Sequence, residues 1–91
     1  MPQAAQRSRP ANTLLASAQA ATLAAEALLA DATAKVRERV VLEGRASPQL
    51  LDREQRATHG LAWFATYVEA ARQLTAYAER LSGAEIGRAH V

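Results

Sequence analysis

Residues 42–49 read Leu42-Glu43-Gly44-Arg45-Ala46-Ser47-Pro48-Gln49, and this run decides the fold because it ends one helix and starts another within a few positions. Gly44 suits the C′ position that closes a helix, since a residue without Cβ enters the left-handed region without steric cost. Ser47 before Pro48 is a helix start: the serine oxygen accepts from an orphan N–H, and proline at the first helical position lacks a donor that would go unused. With only Gly44, Arg45 and Ala46 between the two signals, the second helix must turn back along the first. The expected fold is all-α, an antiparallel hairpin of two long helices at about 13–43 and about 48–82, set in a larger helical domain.

Toward the N-terminus, Leu14, Ala18, Ala21, Ala25, Leu28 and Ala32 recur at alternating steps of four and three, which is one face of a helix. Val36 and Val40 extend that stripe. Asn12 is the expected N-cap, and Asp31 with Lys35 and Arg39 with Glu43 are spaced to pair along the helix. Residues 1–11 carry two prolines and no periodicity, so they are expected as a disordered tail.

Toward the C-terminus, at about 100° per residue, the second helix has two apolar stripes. Leu61, Phe64, Val68, Ala71 and Ala78 form the first; Trp63, Tyr67, Ala70, Leu74, Tyr77 and Leu81 form the second. Together they span an arc of roughly 200°, about twice what one neighbouring layer covers. Thr66, Glu69, Arg72, Gln73, Glu79 and Arg80 make up the solvated remainder. Because the first helix is mostly alanine and brings little transfer free energy, the hairpin alone is marginal. The pattern calls for another surface, either a second copy of the chain or more polypeptide.

Composition narrows the function classes. Ninety-one residues with 49% hydrophobic, 22% charged and 4% aromatic content leave room for one small core, and 23 of the residues are alanine, a helical bias. The absence of cysteine excludes disulfides, thiolate metal sites and a thiol nucleophile, and makes a cytoplasmic location the expectation. The excess of 11 Lys+Arg over 9 Asp+Glu lies at the ends: residues 12–83 hold eight of each sign. No phosphate-neutralising stripe results, so no nucleic-acid partner is expected. The apolar stretch from Thr13 to Ala34 is interrupted by Gln19, Glu26 and Asp31, so no membrane partner is expected either. The acid-poor start with Arg7, Ser8 and Arg9 is shared with targeting peptides, but its apolar run continues in phase into a charged helix without a turn.

No constellation for chemistry emerges, and the expected site residues are none: catalytic none, cofactor-binding none, metal none. His59 and Trp63 are four apart on one face, but with no matching acid or second ligand His59 reads as structural, at the rim of the packed stripe. Asp52 and Glu54 are two apart and diverge on a helix. Tyr67 and Tyr77 stand at helical spacing, as packing aromatics do. Gly60 costs about 1 kcal/mol relative to alanine in a helix, which points to close approach of another backbone or to a tolerated neutral change. Gly-rich phosphate loops and nucleophile elbows are absent.

The run His59-Gly60-Leu61-Ala62-Trp63, followed by Ala65-Thr66-Tyr67-Val68-Glu69-Ala70 within Leu50–Leu81, resembles the N-terminal helical extension of the acyl-CoA dehydrogenase family members that act on (2S)-methylsuccinyl-CoA. Val36-Arg37-Glu38-Arg39-Val40 and Asp52 through Gln55 also agree, while Ala71 departs from an expected leucine. The resemblance implies a homo-oligomeric FAD enzyme of the ethylmalonyl-CoA pathway that oxidises this branched acyl-CoA substrate to mesaconyl-CoA and passes electrons to an electron-transfer flavoprotein. In that family a glutamate removes the α-proton and flavin N5 takes the β-hydride. Those parts are expected downstream of residue 83, so the chain is expected to be inert alone, FAD belonging to the parent enzyme and its partner being the remainder of the dehydrogenase chain.

Ile86-Gly87-Arg88-Ala89-His90-Val91 is the translation of ATC GGA AGA GCA CAC GTC, a short-read sequencing adapter whose next in-frame triplet is a stop. Residues 84–91 are therefore expected to be a non-native tail on a frame truncated near Gly83 to Glu85. The rival reading is a complete interaction protein whose hairpins pair into a four-helix bundle.

Overall fold

The structure, a computed structural model, describes the backbone of residues 3–89 and the side chains of residues 13–84; Met1, Pro2, His90 and Val91 lie outside the described residues. It is all-α apart from one minimal strand pair. Helix α1 is Gln3–Val40, strands β1 and β2 are Val41–Leu42 and Arg45–Ala46, and helices α2 and α3 are Pro48–Arg53 and Gln55–Ala89.

The reversal after α1 differs from a glycine-closed helix end. Helix α1 stops at Val40, and Val41 pairs with Ala46 and Leu42 with Arg45 in antiparallel register. Both central residues, Glu43 at φ 53° and Gly44 at φ 79°, lie in the left-handed region, the requirement of the two-residue turn whose twist matches paired strands. β-Branched Val41 favours extended backbone, and Leu42 follows it into the turn. With Glu43 in the turn, Arg39 pairs with Glu54 at 3.8 Å rather than along its own helix. The pairing of Asp31 with Lys35 is formed, at 3.1 Å.

Ser47 caps α2 as its sequence implies. It is extended at φ −93°, ψ 121°, its side chain accepts from the Leu50 N–H at 3.3 Å, and Pro48 takes the first turn. The expectation of one unbroken helix from 48 to 82 needs correction, because Glu54 at φ −102°, ψ 28° ends α2. The Glu54 carbonyl then accepts from the Thr58 N–H at 3.0 Å, so α3 restarts at once and the break is a single residue wide.

The helix limits also move. Helical backbone begins at Gln3, ahead of the Asn12 cap and within the segment expected as a disordered tail; Gln, Ala and Arg at positions 3–7 are good helix formers. At the other end α3 passes through Ser82, Gly83 and Gly87 to Ala89; each glycine costs about 1 kcal/mol and no proline follows.

Helix α3 lies against α1 with contacts in opposite chain order: Gln19 meets Glu79, Thr22 meets Thr75, and Glu26 meets Arg72. The buried apolar core among the described residues is Val40 and Val68. Extents of 64 × 24 × 16 Å describe one layer of two helices, each about 10–12 Å across. Exposed surface is 7476 Å², against about 5,200 Å² for a compact monomer of this mass. The radius of gyration is 19.9 Å where a compact chain of this length has about 12 Å.

The reading that Gln19, Glu26 and Asp31 leave the stretch from Thr13 too interrupted to span a membrane is corrected. Thr13–Val40 is long and apolar enough to cross a bilayer by length and composition, because its alanines and leucines outweigh the interruptions. Within the structure two of the interruptions are tied to α3, Gln19 to Glu79 and Glu26 to Arg72, and Asp31 pairs with Lys35 on α1.

Gly60 has no atom within 4 Å of where a Cβ would stand, so no backbone within the described residues approaches it. Gly60→Ala is expected to raise the unfolding free energy by about 0.5–1 kcal/mol. Gly44→Ala, at positive φ, is expected to lower it by about 1 kcal/mol. Thermal melts followed by far-ultraviolet circular dichroism check both signs.

Candidate functional site

The two long helices meet along a seam with unlike faces on either side. On α1 the seam carries buried Thr22 and Val40, flanked by half-buried Leu15, Ala18, Leu29 and Val36. Its centre is thus rotated from the stripe read in the sequence. Of that stripe Leu14, Ala21 and Leu28 are exposed, while Ala18, Ala25, Ala32 and Val36 are half-buried and Val40 is buried. On α3 the first apolar stripe faces α1: Val68 is 2% exposed, and Leu61, Phe64, Ala71 and Ala78 are half-buried.

The rotation has a polar cause. The Thr22 hydroxyl donates to the Ala18 carbonyl at 2.8 Å and lies 3.0 Å from the Thr75 hydroxyl. Having one hydrogen, already committed, Thr22 must accept in the second contact, and Thr75 donates. A buried hydroxyl left without partners is costly, so this pair holds residues 22 and 75 at one level. Glu26 accepts from Arg72 Nε at 2.7 Å, and Glu69 accepts from Arg72 Nη1 at 3.1 Å. These bonds, that to Glu26 foremost, raise the Arg72 pKa above its ordinary value. A shallow groove of about 460 Å³ runs along this polar side, lined by Gln19, Leu23, Glu26, Arg72, Ala76 and Glu79 among others.

The opposite side is open and apolar. Trp63, Tyr67, Leu74 and Tyr77 are between 54% and 69% exposed, and Leu81 is exposed as well. Trp63 stacks on Tyr67 with ring centroids 6.2 Å apart, and the Arg80 guanidinium lies 5.8 Å from the Tyr77 ring centre. These side chains form a ridge along α3. At about 100° per residue and with opposed chain directions, Leu14, Ala21, Ala25, Leu28 and Ala32 of α1 fall on the same side of the seam. They make a lower strip beside the ridge, because three of the five are alanines.

His59 is exposed and lines a shallow groove of about 220 Å³ with Ala62, Trp63 and Thr66. Asp52 accepts from the Gln55 side chain at 2.9 Å, while Glu54 faces Arg39 and Arg53, so the two carboxylates do not converge. No group of three His, Cys, Asp or Glu suited to a metal ion occurs among the described residues. Thr22 and Thr75 are the residues sequence reading misses. The signal available was a threonine on each helix at a level where the apolar stripes are otherwise unbroken.

Fold and surface together define an all-α packing element, polar on one side of its seam and apolar on the other. The chain is 48% identical over 56 residues to (2S)-methylsuccinyl-CoA dehydrogenase of Cereibacter sphaeroides. That match takes in 62% of this chain and 10% of the relative, so the chain spans about a tenth of the length of the protein it resembles. No family model and no solved structure matches it.

The threonine pair yields a double-mutant test. Thr22→Val and Thr75→Val are each expected to destabilise the chain, and the double variant to be more stable than the sum by about 0.5–1.5 kcal/mol, because removing both hydroxyls orphans neither. Urea unfolding of the four chains measures the coupling.

Proposed function

We propose that this chain is the N-terminal helical part of an FAD-dependent acyl-CoA dehydrogenase that oxidises (2S)-methylsuccinyl-CoA to mesaconyl-CoA, and that it is inert by itself. The observation that carries the reading is the 48% identity over 56 residues to an enzyme named for that substrate. The exposed ridge supports it. A face holding Trp63, Tyr67, Leu74 and Tyr77 in water forgoes about 1.5–3 kcal/mol for each large side chain left unburied, as a helical hairpin cut out of a larger helical domain would.

In this reading the parent enzyme binds FAD and the acyl-CoA, passes electrons to an electron-transfer flavoprotein, assembles as a homo-oligomer, and works in the cytoplasm within the ethylmalonyl-CoA pathway. The described residues do not fit a flavin. Both grooves are shallow strips along helix surfaces, and neither offers a cradle of free backbone N–H groups for a pyrophosphate. The start of α2 is closed by Ser47 itself. The role left to this chain is structural, as an apolar face that covers other parts of the enzyme.

Two measurements test the proposal. The gene read across codon 83 in native genomic DNA is expected to run on into a dehydrogenase frame; a genomic stop directly after Val91 would overturn the reading. The 91-residue chain is expected neither to retain FAD through gel filtration nor to reduce an electron acceptor with (2S)-methylsuccinyl-CoA. Turnover by the chain alone would refute its inertness.

A further inference from the structure

We infer that the open apolar face of the isolated chain is a self-complementary interface, and that two copies close it into an antiparallel four-helix bundle. The inference concerns the 91-residue chain by itself, where the face that a larger enzyme would cover is free, and it does not depend on the dehydrogenase assignment. The occupant is argued from shape. The face is a tall ridge on α3 beside a low strip on α1, so its best cover is another such ridge lying in the strip. A two-fold axis parallel to the helices sets α3 of each copy over α1 of the other and makes every neighbouring pair of helices antiparallel. An axis across the helices would instead stack ridge on ridge and hold the alanines apart from any partner.

Levels along the helix match as well. With residues 22 and 75 at one height and 26 and 72 at the next, the parallel axis sets Leu74 over Ala25. Leu81 comes over Leu14 and Ala18, and Trp63 over Ala32 and the methylene stem of Lys35. Alanines beneath the ridge allow helices to approach to about 8–10 Å. Area is sufficient too: the exposed parts of Leu14, Leu28 and the five ridge residues amount to on the order of 800 Å², the amount each partner buries in a standard stable interface. The charged groups Glu26, Glu69 and Arg72 remain on the solvated side.

Sedimentation equilibrium of the 91-residue chain from micromolar to submillimolar concentration tests this, with an expected limiting mass of about twice the chain's 9.8 kDa. Leu74→Asp is expected to raise the dissociation constant by about 100-fold or more while leaving monomer helix content unchanged, because Leu74 is exposed in the single chain. As the chain has no cysteine, mixing an Ala25→Cys chain with a Leu74→Cys chain under mild oxidation is expected to give mainly the mixed covalent dimer. A monomer throughout, association unchanged by Leu74→Asp, Leu74→Cys chains that cross-link to themselves as readily, or a buffer monomer that floats with phosphatidylglycerol vesicles would each overturn the inference. None of these outcomes bears on how the gene continues past codon 83, so the two readings fail separately.

Discussion

The contact between the Thr22 and Thr75 hydroxyls is the constraint on which the rest of this structure depends. An alanine-rich helix offers its neighbour a smooth surface, and apolar contacts alone leave rotation and sliding nearly free. The contact limits that freedom, since displacement by one residue would take the Thr75 hydroxyl off its acceptor, while Thr22 keeps its bond to the Ala18 carbonyl. Once residues 22 and 75 share a level, Glu26 finds Arg72 and Gln19 finds Glu79. The seam is then fixed in rotation as well as in height.

From that rotation the surface follows. Turning Thr22 and Val68 inward carries Leu14, Ala21 and Leu28 out of the seam and leaves Trp63, Tyr67, Leu74 and Tyr77 on the same outer side. The molecule is a two-helix layer whose dry face has no counterpart within the chain. Its exposed surface, well above that of a compact protein of the same mass, is the energetic expression of that layer.

Much of the fold was legible in residues 42–81. Ser47-Pro48 announced a capped helix, and the two apolar stripes of α3 foretold one covered face and one open face, with Val68 in the first and Trp63 in the second. Less legible were the β-turn at Glu43-Gly44 and the one-residue break at Glu54. Both are local backbone choices made where helix and non-helix differ by little, and the competing tertiary contacts tip them. The helix limits at Gln3 and Ala89 were also missed, because the helical backbone runs through Pro10 at one end and through Gly83 and Gly87 at the other.

Periodicity by itself determined the helical runs and the excess of apolar surface on α3, and the signals at Gly44 and Ser47-Pro48 determined the reversal, because both are local to the chain. Only the tertiary structure decided which side of α1 turns inward. The reason is that Thr75 finds its acceptor in the Thr22 hydroxyl across the seam, and such a contact between distant residues leaves no periodic trace in the order of residues.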